Sequence, residues 1–197
     1  MSTFYTSDLH IFHKNIIKFT DRPWTLEEQT EEIIRRWNQQ VQPGDSVYHL
    51  GDFTFAGSSK IEEVWSIIKR LNGKKHFIMG NHDNESLWDL IECKAWEENK
   101  QNEVILLGHY HEMKIDKQNI VLSHYPFREW NRKNYGSIML FGHCHGALQV
   151  EGERTMDVGI DNHPDHRLFS WEEVKERMVS IPSPASCHHN KPVENER

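Results

Sequence analysis

Short apolar runs alternate along the chain with stretches whose apolar residues recur every three or four positions, a pattern that predicts an α/β architecture. Thr3–Ser7, Ser46–Leu50, Lys75–Met79, Ile120–Ser123, Ile138–Phe141 and Thr155–Ile160 read as strands. Val104–Leu107 and Met113–Ile115 read as a further pair, expected to lie together in a sheet. Helical periodicity covers Thr25–Val41, Ser59–Leu71, Glu85–Glu92 and Ser170–Val179. Three of these open on the S/T-x-x-E spacing in which a hydroxyl and a carboxylate satisfy orphan N–H groups: Thr25/Glu28, Ser59/Glu62 and Ser170/Glu173. Pro43-Gly44 ends the first helix, and Ile61, Val64, Trp65, Ile68 and Leu71 give the second one apolar face. Beyond Ile181 the chain turns polar around Pro182, Pro184 and Pro192. The pattern therefore predicts one domain over residues 1–181 and a disordered tail over 182–197.

The candidate chemistry sits just past the strands. Five apolar runs end in residues that bind metals: Asp8-Leu9-His10, Gly51-Asp52, Gly80-Asn81-His82-Asp83, Ser123-His124 and Gly142-His143-Cys144-His145. Open α/β sheets bind ligands outside the carboxyl ends of their strands, so these five ends are expected to converge. Were the backbone extended there, residues i and i+2 of Asp8-x-His10 and of His143-x-His145 would project the same way onto one ion. Gly51, Gly80 and Gly142 would let the chain turn close to it. Each fragment alone is common; the ordered set of five is specific.

Composition narrows the class. The chain has 197 residues, ordinary apolar and charged content, and 14 histidines, an unusual number for this length. A net charge of −7 argues against an extended nucleic-acid-binding surface. No apolar run reaches the ~18–20 residues of a membrane span, and the first residues lack the pattern of a signal peptide. Cys93, Cys144 and Cys187 are odd in number and lack CxxC spacing, which fits a reducing, cytoplasmic setting.

In this order the five motifs resemble the calcineurin-like metallophosphoesterase superfamily, and with Met156-Asp157-Val158-Gly159-Ile160-Asp161 they resemble its small single-domain bacterial and phage branch. The resemblance runs over about residues 3–180. It implies a four-layer α/β/β/α sandwich with two sheets, helices outside and the metal site at the strand C-terminal ends. It also implies two divalent ions. One would be held by Asp8, His10, Asp52 and His145, the other by Asp52, Asn81, His124 and His143, with Asp52 bridging. His82 matches the family's catalytic histidine. The residue chemistry agrees: two divalent ions against two carboxylates leave a cationic centre in an acidic protein, suited to attracting a phosphate ester and activating water for in-line attack. A donor set without thiolates favours Mn²⁺, with Fe or Zn²⁺ as alternatives.

The expected substrate is a phosphodiester, a nucleotide or a nucleic-acid end. A phosphomonoesterase is the alternative, and a non-catalytic scaffold on the same fold is disfavoured because all seven ligand types and His82 are retained. Asn81, His13 and Arg128 are the residues expected to touch substrate, with Trp130 or Tyr125 weighed as a platform for a base. Gly51-Asp52 continues as Phe53-Thr54-Phe55, without the arginine of the protein phosphatase branch, and nothing in the sequence identifies what orients His82. His109-Tyr110-His111 repeats the G-H-x-H pattern in the wrong order and reads as a hairpin or loop feature. His49 reads as packed or hydrogen-bonded, His163 and His166 as surface loop, and Cys187-His188-His189 as solvated tail.

Overall fold

In the computed structural model, residues 1–148 and 152–182 are described. Among the described residues nine strands form two sheets. The first contains β1 (Thr3–Thr6), β2 (Ser46–Leu50), β3 (Lys74–Ile78), β4 (Val104–Leu106) and β9 (Phe169–Ser170), in the order β4-β3-β2-β1-β9. The first four run parallel, and β9 closes the edge antiparallel to β1. The second contains β5 (Tyr110–Ile115), β6 (Gln118–Ser123), β7 (Ile138–Phe141) and β8 (Thr155–Asp157), in that order, with only the β5–β6 pair antiparallel. The expected pairing of Val104–Leu107 with Met113–Ile115 does not occur. β4 joins β3 in the first sheet, and the chain crosses to the second at Gly108, whose φ of 73° makes the turn.

Period-two alternation explains the layering. Phe4, Val47 and Phe77 face a core shared with α2 (Gln29–Gln40), α3 (Ile61–Arg70) and α4 (Glu85–Glu97), through Trp37, Trp65 and Trp88 among others. Their neighbours Tyr5, Leu50 and Ile78 face the other way, onto Ile120, Leu122, Ile138 and Leu140 of the second sheet. The two sheets therefore stack and form an α/β sandwich with helices outside. The last helix, α5 (Trp171–Val179), inserts Trp171, Val174 and Met178 into this inter-sheet core. On the far face of the second sheet, Val121, Met139 and Phe141 are covered by Trp130. Trp130 is thus a buried packing residue, with its indole N–H donated to Ser137 Oγ at 2.9 Å, and not a platform for a base.

Local signals place the helices more accurately than their ends. Ser170 and Glu173 form the full capping box of α5. Thr25 and Glu28 also exchange their bonds, but in a turn that precedes α2. Ser59 caps nothing and lies in a 3₁₀ turn ahead of α3. α4 runs five residues past its predicted end, started by Asn84, whose side chain accepts from Leu87 N at 3.0 Å. A one-turn helix, α1 (Ile16–Phe19), is too short to leave a periodic signal. Of the expected tail, residues 183–197, including Cys187, His188 and His189, lie outside the described residues.

Candidate metal centre

The five polar strand ends meet at one edge of the sandwich. Asp8 follows β1, Asp52 follows β2, Asn81 follows β3, His124 follows β6, and His143 and His145 follow β7. Asp8, His10, Asp52 and His124 are buried, His145 is half-buried, and Asn81 and His143 are exposed. Two triplets have ligand atoms within 4.8 Å of one another: Asp8, His10 and His145, and Asp8, Asp52 and His124. Asp52 Oδ2 lies 3.7 Å from His10 Nε2 and 3.5 Å from His124 Nε2, so this carboxylate faces both clusters. Asn81 Oδ1 is 2.9 Å from His124 Nε2 and 2.9 Å from His143 Nδ1, which draws His143 into the second cluster.

The backbone reaches this arrangement differently from the extended chain expected for the two i, i+2 pairs. Asp8, His10, Asp52, His143 and His145 all have positive φ, between 46° and 69°. Left-handed turns, not continuing strands, aim the alternate side chains inward, and that strain is held by the packed loops around them. The glycines serve close approach. A Cβ on Gly80 would run into the Asp52 carboxylate, and one on Gly142 would lie 2.7 Å from Asp8 Oδ2.

Hydrogen bonding fixes the tautomers. His124 Nδ1 faces the Leu50 carbonyl at 2.8 Å and donates to it, so its Nε2 carries a lone pair. That lone pair points at Asn81 Oδ1 and Asp52 Oδ2, which are acceptors themselves. Three acceptors converging without a proton between them are a poor arrangement for protein alone and a good one for a cation. His145 Nδ1 faces Asp161 Oδ2 at 2.8 Å, which leaves its Nε2 turned towards His10 Nε2, 3.2 Å away. The residues present thus fit divalent ions of the Mn²⁺, Fe or Zn²⁺ type.

Electrostatics act in opposite directions on the candidate ligands. Burial, reinforced by the neighbouring His145 and Arg22, pushes His10 down to about 2. Burial also lowers His124, against the pull of Asp52. Both imidazoles are neutral at pH 7, as metal ligands require. Burial raises Asp8 to about 7 in the metal-free protein, opposed by His145 and by the Ser7 hydroxyl that donates to Asp8 at 2.5 Å. For His145, burial lowers the pKa, but the Asp161 hydrogen bond and Asp8 outweigh it and the net shift is upward.

The supporting residues carry weaker signals in the sequence. Arg22 is buried and bonds Asp161 through Nε at 2.7 Å and Nη2 at 2.9 Å, and it also donates to the carbonyls of Asp8 and Leu9. Burial would raise Asp161, yet its bonds to His145 and Arg22 hold it at about 2. Arg22 and Asp161 therefore tie the first ligand loop to the tautomer of His145. Asp83 sits beneath the loops and accepts from the N–H groups of Asp52, Phe53 and Gly80 at 2.8, 3.1 and 2.9 Å. Asp161 and Asp83 belong to motifs read in the sequence, but Arg22 lies in a polar loop with no signal.

His82 is exposed; its backbone N–H donates to Asp52 Oδ1 at 2.8 Å, and its ring adjoins those of His10, His13 and Phe55. His13 lines the same cavity, of about 340 Å³, as His10, Asp52, His82, His143 and His145. Arg128 is exposed and lines a separate cavity with Pro126, Phe127 and Glu153. His109 lies in the exposed turn before β5 and is not among the residues of the two ligand triplets or of the cavity beside them. His49 is fully buried between Phe53 and Phe77, with neither ring nitrogen hydrogen-bonded. His163, expected on the surface, is buried, with Nε2 facing Glu173 at 3.4 Å. Cys144 packs on the outer cluster around Trp130 rather than facing the ligands.

Two stacked sheets carrying carboxylate, imidazole and amide ligands on their strand ends define the class of metallophosphoesterases. The profile described as the calcineurin-like phosphoesterase superfamily domain matches residues 1–160, and the chain belongs to that superfamily. It is 25% identical to the Gene 66 protein of Mycobacterium phage D29, over 91% of this chain and 97% of that one. The Gene 66 protein of Mycobacterium phage L5 is 26% identical, over 95% and 99%. A protein of Methanocaldococcus jannaschii, MJ1445, is 41% identical over 78 residues, 39% of this chain and 44% of that protein. Among solved structures, AQ665 of Aquifex aeolicus, a protein of unknown function, shares the fold with a TM-score of 0.65 at 22% identity, over 89% of this chain and 98% of that one.

Proposed function

We propose that this phosphoesterase hydrolyses phosphodiesters or nucleotides at a centre of two divalent ions, with Mn²⁺ the preferred metal. The observation that carries the reading is Asp52 Oδ2, buried and facing both His10 and His124 at under 4 Å, where a carboxylate shared by two ions would stand. His10, His145 and Asp8 would hold one ion, and His124, Asn81 and His143 the other. Such ions supply Lewis-acid activation of water and neutralise charge on the phosphoryl oxygens. The chain's own residues do the rest. Asp52 holds the His82 loop through its N–H and so keeps the imidazole at the mouth of the site. From there His82 hands a proton to the departing ester oxygen. Asn81 turns its amide towards the second cluster, where it also meets substrate. The preference for diesters rests on the cavity walls. Apart from its ligands and His82, the cavity is lined by His13, Ile16 and Phe19, with no lysine or arginine among the described residues that line it to meet the second charge of a monoester. The two unpaired cysteines among the described residues, Cys93 and Cys144, support the cytoplasmic setting.

The test is hydrolysis by metal-stripped protein reloaded with Mn²⁺, Fe²⁺ or Zn²⁺. Bis(p-nitrophenyl) phosphate is expected to be cleaved with a kcat/KM at least equal to that of p-nitrophenyl phosphate. A clear monoester preference would turn the reading to a phosphomonoesterase, and no hydrolysis with any ion would refute it.

A further inference from the structure

One wall of the cavity does no work for the metal ligands. His13 stacks on Phe55 with ring centroids 4.6 Å apart and an interplanar angle of 29°, and Phe19 lies 6.5 Å from His13 at 33°. Phe55 in turn abuts His82 at 5.1 Å. The rings run one against the next from Phe19 to His82; His13, Phe19 and Ile16 line the cavity, and Phe55 lies beside it against His13 and His82. Their exposure is unusual for such residues: Phe19 is 73% and Phe55 48% open to solvent. The elements that carry them lie between ligands in the chain. α1 begins six residues after His10, and Phe55 lies three residues past Asp52. The cavity of about 340 Å³ is at the small end for ligand pockets, so it admits a phosphate and one compact arm rather than a long polymer. Tyr125, the other exposed ring near the centre, presents itself edge-on to His124 and His143, at 68° and 64°, and offers no comparable face.

Resting on the phosphoesterase reading above, we propose that the His13–Phe19–Phe55 surface binds a planar, nucleobase-sized arm of the substrate, on the His82 side of the phosphate, and so selects nucleotide esters over sugar or alkyl phosphates. Stacking on an aromatic face is tolerant of base identity, so selection is for a planar arm rather than for one base. Because the surface adjoins His82, the arm it holds belongs to the alcohol that leaves.

Binding of AMP, ribose 5-phosphate and inorganic phosphate to the Mn²⁺-loaded protein is measured by calorimetry, in the wild type and in Phe55→Ala, Phe19→Ala and Trp96→Ala. Trp96 is exposed on α4 and serves as the control. AMP is expected to bind about tenfold more tightly than ribose 5-phosphate. That gap is expected to close in Phe55→Ala and narrow in Phe19→Ala, while Trp96→Ala keeps it. Equal affinity for AMP and ribose 5-phosphate in the wild type, with inorganic phosphate still bound, would overturn the inference alone. So would a gap that survives in both phenylalanine variants. Failure to bind any of the three ligands would overturn the inference, and the phosphoesterase reading falls with it only if bis(p-nitrophenyl) phosphate is not hydrolysed either.

Discussion

Single substitutions test the proposed division between metal binding and proton transfer. Asp52→Asn removes the charge that faces both clusters, so metal analysis is expected to show both ions lost together with activity. His82→Ala removes a ring outside the two ligand clusters and is expected to keep both ions while lowering turnover by ~10²–10⁴. Loss of an ion from His82→Ala would make it a ligand. A different histidine contributes to acid stability from outside the centre. His49 is fully buried without a hydrogen-bond partner, and burial pushes it down to about 3, whereas in the unfolded chain it titrates near ~6.5. Its folded pKa is depressed, so its contribution is full above the unfolded value and is lost as pH falls from there towards the folded one. The slope is ~1.4 kcal/mol per pH unit. Urea unfolding at pH 7 and pH 5 is therefore expected to show His49→Leu losing about 2 kcal/mol less than the wild type between the two pH values. Equal losses would contradict the assignment.

At the scale of elements, function depends on how each strand stops. β2 and β3 are neighbours in register from Ser46↔Lys74 to Leu50↔Ile78, and the loops after them meet at Gly80, against the Asp52 carboxylate. Gly80→Ala is expected to displace that carboxylate and weaken metal binding by about tenfold or more, with the far-UV circular dichroism unchanged. Titration with Mn²⁺ followed by calorimetry checks it, and wild-type affinity would mean that the loop relaxes around the methyl group. β6 and β7 do the same from the second sheet with His124, His143 and His145, so the centre spans both sheets and requires their stacking.

For the whole molecule, a loaded centre would act as a clasp between the sheets, because its candidate ligands come from both. Ions that bind only the folded state stabilise it by about 2.7 kcal/mol per site at a free concentration 100-fold above Kd. Each occupied site is then worth about 5–10 °C in melting temperature for a domain of this size. Chelation is accordingly expected to lower the Tm, and reloading is expected to restore it at two ions per chain by elemental analysis. One ion per chain would refute the paired centre. Among the described residues no helix is long and apolar enough to cross a membrane.

The features legible in the sequence are local ones. Apolar alternation locates eight of the strands, the S-x-x-E spacing locates the cap of α5, and the five ligand motifs are legible because each sits in a few consecutive residues after a strand. Features that depend on distant partners needed the tertiary fold. Whether Val104–Leu106 pairs with β3 or with β5 depends on which sheet has a free edge, and no local pattern records that. Trp130 reads equally as platform or as packing in the sequence, and the outer face of the second sheet claims it. Arg22 carries no motif, because its meaning comes from Asp161, 139 positions away. The aromatic wall of His13, Phe19 and Phe55 is likewise assembled from separate loops. Left-handed backbone at Asp8, His10, His143 and His145 is invisible in the sequence for the same reason: Asp and His tolerate it better than most residues but adopt it only where the surrounding packing holds them there.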